Sequence, residues 1–299
     1  VLAALAQTIV ADVIPFERRG RAMGIVMSSF ALASVAGVPA GLFLAAQFNW
    51  HTPFFVIAGV CLVLTAGAWI TLPPLADHLK HQRNSPLANI LQVLRDANHQ
   101  KAFAFTALMM VAGFTVIPYI TIYTTINGGL TMQQIPYVYL LGGAVTLFTA
   151  RWIGKLTDSV GKAKMFKITA VFAMLSIWLV TLSASFGLWG ILLVTTIMFI
   201  GMNGRMIPGM ALATSAANPK LRGTFMALNS SVQSAAMGLA TFVGGLVISR
   251  DAQGLVQYFW VNALIGAIAT LLSVLLVSKL FLYGATAAQT ISPDAAKVT

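Results

Sequence analysis

A few polar side chains inside long apolar segments are the residues best placed to do chemistry. The clearest is Arg205, in the run Gly201-Met202-Asn203-Gly204-Arg205-Met206-Ile207-Pro208-Gly209. A charged side chain facing hydrocarbon costs at least about 2.5–3.5 kcal/mol, so we expect Arg205, with Asn203 beside it, to face a cavity or a partner. Snorkelling to the helix end, or structural pairing, is the alternative. A cavity-facing arginine would bind an anionic group or pair with an acid elsewhere in the protein.

Two further pairs of polar residues are spaced four apart, which places both members of a pair on one helix face. Tyr119 and Tyr123 follow Pro118, which leaves a backbone carbonyl without its helical donor. Asn229 and Gln233 lie inside another apolar segment. Both pairs are candidates for lining a substrate cavity. Alternatively, Tyr123 anchors its helix at the membrane interface, and the two amides hydrogen-bond to a neighbouring helix.

The motifs that would indicate catalysis are not found in the sequence. There is no G-x-x-x-x-G-K phosphate loop, no H-E-x-x-H helix and no nucleophile elbow. The single cysteine, Cys61, cannot form an internal disulfide. The four histidines all fall in predicted loops: His51, His78, His81 and His99. We therefore expect no enzyme activity, no cofactor and no metal site.

The composition identifies the elements that hold these residues as membrane-spanning helices. Of the 299 residues, 58% are hydrophobic and only 8% are charged, and the mean hydropathy is +0.86. A soluble domain carries about 25% charged residues. The net charge of +11 does not indicate nucleic-acid binding, because the basic residues are scattered over short loops and form no continuous face.

Nine apolar segments approach or reach the ~20 residues of a spanning helix. They are 1–14, 22–46, 53–74, 102–124, 136–153, 165–185, 189–213, 224–248 and 257–283. Lys and Arg gather in alternate loops, whereas the opposite loops contain Arg250 alone. The positive-inside rule therefore makes the basic loops and the C-terminus cytoplasmic.

The segment 75–101 is the longest polar stretch between two predicted spans. Ser85-Pro86 within it is a helix-start signal, serine as the cap and proline in the first position. Leu87, Leu91 and Leu94 follow at helical spacing. This pattern predicts an amphipathic helix that lies on the membrane surface. A helix that binds a partner protein is the alternative.

An internal repeat divides the chain into two halves. The stretch Arg19-Gly20-Arg21-Ala22-Met23 recurs as Arg222-Gly223-Thr224-Phe225-Met226, each on the basic side where one span ends and the next begins. At the same offset, Gly41 corresponds to Gly244. Parallel repeats of six helices are one architecture of secondary transporters. By this symmetry, about three helices, or about 100 residues, precede Val1 in a longer parent protein.

The most specific motif joins the spans 136–153 and 165–185. It reads Gly154-Lys155-Leu156-Thr157-Asp158-Ser159-Val160-Gly161-Lys162-Ala163-Lys164. Gly154 and Gly161 suit a tight turn between two helices. Asp158 is either a solvated carboxylate that balances its basic neighbours or a cap on a helix N-terminus.

This motif resembles the signature loop G-x-L-x-D-x-x-G-x-x-K/R of the major facilitator superfamily, with Lys164 as its last residue. The resemblance implies that Asp158 contacts the start of the helix that carries Arg19 when the cytoplasmic side is closed. Breaking that contact would bias the conformational equilibrium. Arg222 is the repeat equivalent of Arg19 and belongs to the same gating set.

A second motif lies in the span 22–46. Gly37-Val38-Pro39-Ala40-Gly41 resembles the antiporter motif of drug/proton antiporters, and more closely its G-V-P-x-G version in arabinose-efflux-permease-like proteins. Two glycines and a proline would thin and bend the helix. A plain packing kink is the alternative to a functional bend.

These resemblances imply an all-α polytopic membrane protein of the major-facilitator fold, with about nine of twelve transmembrane helices present. Residues 1–74 would be the rest of an N-terminal six-helix bundle and 75–101 a cytoplasmic central loop. Residues 102–283 would be the C-terminal six-helix bundle and 284–299 a cytoplasmic tail.

The implied function is export of small molecules such as drugs or sugars, by proton antiport with alternating access, from a monomer in the bacterial inner membrane. The coupling acid would lie upstream. A facilitator-type importer or uniporter of a sugar or organic anion is the alternative. A receptor or scaffold that does not transport is a more distant one.

Overall fold

The computed structural model describes residues 14–15, 18–71, 86–131 and 133–283, and these ranges are almost entirely helical. The helices are α1 (Arg19–Leu32), α2 (Val38–Gln47), α3 (Thr52–Thr71), α4 (Pro86–Arg95), α5 (Ala97–Phe114), α6 (Ile120–Ile126), α7 (Ile135–Val160), α8 (Lys162–Thr181), α9 (Gly187–Ala216), α10 (Arg222–Val247) and α11 (Phe259–Val277). Short 3-10 turns occupy Ile117–Tyr119, Ser183–Ser185 and Pro219–Leu221. Two short antiparallel strands, β1 (Ser249–Arg250) and β2 (Val256–Gln257), join α10 to α11.

Five helical stretches in the described ranges are long and apolar enough to cross a bilayer. They are Ala97–Ile126, Lys162–Thr181, Gly187–Ala216, Pro219–Val247 and Phe259–Val277. Three other predicted spans coincide with helices of the structure: 22–46 with α1 and α2 together, 53–74 with α3, and 136–153 with α7. Residues 1–13 of the first predicted span and the tail 284–299 lie outside the described residues. The fold is therefore the polytopic all-α arrangement that the composition predicted.

Two boundaries differ from the prediction. The motif around Asp158 was predicted as a loop, but α7 continues to Val160 and only Gly161, at φ 98°, separates it from α8. The predicted span 102–124 begins earlier, at Ala97, because the Asp96 side chain caps α5 by accepting from the N–H groups of Asn98 and His99. Hydropathy underestimated the length of both helices, because each has a polar end that extends beyond its apolar segment.

The long helix α9 lies at the centre of the described helices, and its glycines are packing contacts. A Cβ at Gly201 would lie 2.7 Å from the Ser176 hydroxyl oxygen of α8, and one at Gly204 would lie 3.1 Å from Ile153 of α7. Gly209 packs on Met109 of α5. The sequence suggested an irregular helix here, but α9 is continuous, with Pro208 inside it. The small residues serve close approach of neighbouring helices.

Helix α4 begins at Pro86 and has two different apolar surfaces. Val93 is fully buried in a cluster with Phe225 and Met226 of α10. Leu87 and Leu91, by contrast, are exposed. One side of α4 therefore packs on the membrane-spanning helices, and its leucine stripe faces outward.

Candidate functional site

The carboxylate of Asp158, in the last turn of α7, covers the first turn of α1. Its Oδ1 accepts from the Gly20 N–H and its Oδ2 from the Arg21 N–H, each at 2.7 Å. The first N–H groups of a helix have no acceptor within the helix, and the helix dipole favours a negative charge there. The contact joins two distant parts of the chain at the end where α1 and α10 begin. We call this end the basic end.

Small residues bring α1 and α7 together around this contact. A Cβ at Gly20 would lie 2.5 Å from Asp158 Oδ1, and one at Gly24 would lie 2.8 Å from the Ala150 carbonyl oxygen. On the opposite side, a Cβ at Gly154 would lie 2.9 Å from the Gly20 carbonyl oxygen. Met23 of α1, fully buried, belongs to the same apolar cluster as Ala150. The two backbones therefore touch, and no larger side chain fits between them.

The other residues of the predicted gating set have different surroundings. Arg19 is almost fully buried, and its Nε donates to the Ile14 carbonyl at 3.2 Å. Arg222 begins α10 and is half-buried, whereas Lys164 is exposed in the first turn of α8. Beside Arg222, no described atom lies within 4 Å of a Cβ built on Gly223. The structure thus brings Asp158 and Gly154 onto α1 but leaves Lys164 apart from them.

The predicted helix-bend motif coincides with a change of helix type. Ala33–Gly37 forms a π-helical turn, and α2 follows with Pro39 in its first turn. Turns of this kind bend helices because the regular hydrogen-bond ladder is interrupted. Within the described ranges, only Ala33 approaches a Cβ on Gly37, at 3.8 Å, and nothing lies within 4 Å of one on Gly41.

Arg205 is enclosed, which differs from the cavity-facing orientation that its sequence suggested. Its side chain is fully buried, and the guanidinium donates to the Thr270 hydroxyl of α11 and to the Met109 carbonyl of α5, each at 3.1 Å. Its Nε has no acceptor among the described residues. A Cβ at Gly113, one turn after Met109, would lie 2.4 Å from the Met202 methyl carbon and 3.6 Å from Arg205 Nη2. In the described residues Arg205 therefore ties α9 to α5 and α11.

Asn203 and the two tyrosines bond to nearby backbone. The Asn203 side chain donates to the Phe199 carbonyl of its own helix at 3.0 Å. The Tyr119 hydroxyl donates to the Thr241 carbonyl of α10, and the Tyr123 hydroxyl donates to the Thr181 carbonyl of α8. The sequence spacing placed the tyrosines on one helix face; in the structure a 3-10 turn ends at Tyr119, and the two hydroxyls bond to different helices.

Asn229 and Gln233 of α10 each keep an unpaired amide nitrogen in the described structure. Asn229 is fully buried, and its Oδ1 accepts from the Thr106 hydroxyl of α5 at 2.7 Å. Its Nδ2 and the Nε2 of Gln233 are buried and have no hydrogen-bond partner among the described residues. An unpaired buried amide costs about 1–3 kcal/mol. These two amides lie four residues apart on α10, so their side chains share one helix face.

A polar junction at the start of α5 was not predicted from the sequence. His99 was predicted in a loop, but it is buried in the first turn of α5, and its Nε2 accepts from the Asn218 N–H at 3.0 Å. Asn98 donates to the Ala216 and Phe281 carbonyls at 2.9 and 3.0 Å and accepts from the Phe281 N–H. The Asp96 cap was the available signal, because it moves the helix start before both residues.

Comparisons with known proteins identify the architecture. The family model of the Major Facilitator Superfamily matches residues 1–241. An uncharacterised MFS-type transporter of Bacillus subtilis, YtbD, is 26% identical over 274 residues, which are 90% of this chain and 67% of that protein. A chloramphenicol resistance protein of Streptomyces lividans is 28% identical over 155 residues, 52% of this chain and 40% of that protein.

A solved structure shares the fold. It is a bacterial homologue of the iron transporter ferroportin in an outward-facing state, with a TM-score of 0.67 and 14% identity. The match covers 92% of this chain and 67% of that one. At this identity the likeness concerns the helix arrangement only.

Proposed function

The chain belongs to the major facilitator superfamily, and from this premise we propose that its parent protein exports small molecules in exchange for protons by alternating access. Membership makes it a multi-pass membrane transporter with a small-molecule substrate, and not an enzyme. Export, proton coupling and the monomeric state belong to the proposal. So does the assignment of residues 1–74 and 102–283 to two halves that rock against each other.

The contact between Asp158 and α1 is the observation that carries the proposal. It lies at the basic end, which the positive-inside rule makes cytoplasmic in the inner membrane. Beyond the π-helical turn, α2 packs mainly on α3 rather than on the helices after α5. Halves that touch at one end and separate towards the other form the outward-open member of an alternating-access pair. Opening the basic end would break two hydrogen bonds, those from Gly20 and Arg21.

The substrate site in this proposal lies along α5 and α10, where Asn229 and Gln233 present unpaired amide atoms. Arg205 and Tyr119 hold the two helices of that site by their bonds to the Met109 carbonyl of α5 and the Thr241 carbonyl of α10. Export is favoured by the relative that is a chloramphenicol resistance protein. Proton coupling requires an acid that titrates, and we propose that this acid lies outside the described residues.

The test is transport by the full-length parent in proteoliposomes that contain a pH dye. A pH gradient is imposed and chloramphenicol is added on the cytoplasmic face. We expect proton flux that depends on chloramphenicol and is lost in Gly20→Leu, because the larger side chain keeps α1 and α7 apart. Gly223→Leu is the matched control, since the structure leaves space there.

The outcomes separate the proposal from its alternative. Chloramphenicol movement without proton flux would overturn antiport and favour the facilitator or uniporter. No chloramphenicol movement in either direction would overturn export of this class of compound. Equal transport by wild type and Gly20→Leu would overturn the gating role of the α1–α7 contact.

A further inference from the structure

We infer that the face of α10 carrying Asn229 and Gln233 binds an uncharged substrate through a group that both donates and accepts hydrogen bonds, such as a primary amide or a hydroxyl. The inference rests on the proposed function, because it names the substrate class of the site between α5 and α10. It does not depend on the direction of transport or on proton coupling.

Two orphaned amide atoms on one helix face are the first observation. Asn229 and Gln233 are four residues apart, so their side chains lie one above the other on α10. Asn229 Nδ2 and Gln233 Nε2 are both buried without a partner in the described ranges. Most buried polar groups in proteins are hydrogen-bonded. Two adjacent exceptions therefore indicate a group that arrives from outside the described residues.

The Thr106 hydroxyl determines what Asn229 presents. This hydroxyl has one hydrogen, and both the Ala102 carbonyl and Asn229 Oδ1 lie within its reach. If the hydrogen goes to Ala102, the Asn229 carboxamide turns over and donates its NH2 to Thr106, which leaves Oδ1 unpaired. In either orientation, one end of the Asn229 side chain lacks a partner. A ligand that both donates and accepts satisfies both arrangements.

Helices α5 and α10 offer no countercharge to a charged group of a ligand at this position. The sequence has no charged residue between Ala102 and Phe114 of α5, or between Gly223 and Val247 of α10. Arg205 reaches α5 at Met109 but is fully enclosed. A desolvated charge without a partner is strongly unfavourable. The remainder of the ligand is apolar, since the nearby cluster contains buried Met110 and Ala236.

The test uses the purified full-length parent and three probes of similar size: benzamide, benzoate and benzylamine. Thermal unfolding is measured with each probe for wild type and Gln233→Met, a change that keeps side-chain length. We expect benzamide alone to raise the melting temperature of the wild type. We expect its apparent affinity to fall about tenfold in the variant, the effect of one lost hydrogen bond in a dry site.

The ligand-free protein supplies a second readout that a structural role would not give. Because Gln233→Met removes an unpaired amide, we expect it to raise the melting temperature without ligand. The second variant is Asn229→Leu. It loses the hydrogen bond to Thr106, and we also expect it to bind benzamide more weakly than the wild type does. The matched control is Gln253→Met, in the exposed loop between β1 and β2. We expect it to leave the melting temperature without ligand and the benzamide affinity unchanged.

Three results would overturn the inference. One is an equal or larger shift with benzoate or benzylamine, and another is an unchanged benzamide affinity in Gln233→Met. The third is a lower melting temperature of ligand-free Gln233→Met, which would mean that the amide already has a partner. Failure of proton antiport, by contrast, appears only in the liposome assay and leaves these measurements untouched.

Discussion

Asp158 and Arg205 are charged side chains that both bridge helices, but their surroundings differ. The Asp158 carboxylate is half-buried and bonds to two backbone N–H groups at the start of α1. The Arg205 guanidinium is fully buried and bonds to α5 and α11 from inside the bundle. Water can replace the partners of the first group, but not those of the second. From this difference we expect the Asp158 contact to open during the proposed transport cycle and the Arg205 contact to open only on unfolding.

Arg205→Ala tests the enclosed side of this comparison and has the largest expected effect. We expect a loss of about 3 kcal/mol in the free energy of unfolding, because a large buried side chain leaves a cavity. Arg205→Met fills that volume and removes a desolvated charge, so its cost stays below about 1.5 kcal/mol. Thermal unfolding in detergent measures both. Arg250→Ala, on the exposed strand β1, is the control. If Arg205→Ala were as harmless as the control, Arg205 would not be enclosed.

Gly20→Ala tests the contact between α1 and α7 that we propose to open. The new methyl group would lie 2.5 Å from Asp158 Oδ1 and 2.9 Å from the Gly154 carbonyl oxygen, so α1 and α7 must separate. Overpacking of this kind costs about 1–3 kcal/mol. The readout is maleimide labelling of Met23→Cys, a buried interface position, in a Cys61→Ser background. We expect labelling from the basic end to become at least about tenfold faster. An unchanged labelling rate would show that the interface absorbs the methyl group.

Asp158→Asn sharpens the comparison by removing charge while nearly keeping shape. Its NH2 cannot accept from a backbone N–H, so the variant loses one hydrogen bond and the attraction to the helix dipole. Together these contribute about 1–2 kcal/mol. The labelling of Met23→Cys should rise about fivefold to thirtyfold, while the unfolding temperature changes little. Asp251→Asn, in the loop after β1, is the control. A large fall in stability instead would place Asp158 with Arg205 as a structural group.

Gly223→Ala has the smallest expected effect and compares the two copies of the repeat. Arg19 and Arg222 begin α1 and α10, and Met23 and Met226 are both fully buried. However, Gly20 is crowded by α7, whereas Gly223 has open space in the described structure. We expect the free energy of unfolding to stay within about 0.5 kcal/mol of wild type, as for an exposed substitution. The rate of maleimide labelling should change by no more than this energy allows. An effect as large as that of Gly20→Ala would show that the parent protein covers α10 with another segment.

The spans were predictable from the sequence because their causes are local. Apolar length determines a spanning helix. The repeat marks Arg19 and Arg222 as equivalent positions, and both begin a helix in the structure. The placement of Asp158 against α1 was implied by the family motif, and its gating role stays a prediction.

The interior contacts were not predictable, because each depends on residues far apart in the sequence. Arg205 bonds to Thr270 and Met109, 65 and 96 positions away. Periodicity cannot show whether such a partner or a cavity faces the guanidinium. Tyr119 and Tyr123 likewise bond to the Thr241 and Thr181 carbonyls, 122 and 58 positions away, so their spacing alone could not show what they face.

The junction at Asn98 has a consequence for the time that the chain needs to mature. Its carboxamide pairs with the backbone of Phe281, which lies 183 positions later. At a synthesis rate of about 5–20 residues per second, the ribosome needs about 10–40 s to make that partner. Before that point the Asn98 side chain has only the Ala216 carbonyl, 118 positions away, as a partner in this junction. The junction is therefore completed only after α11 has been made.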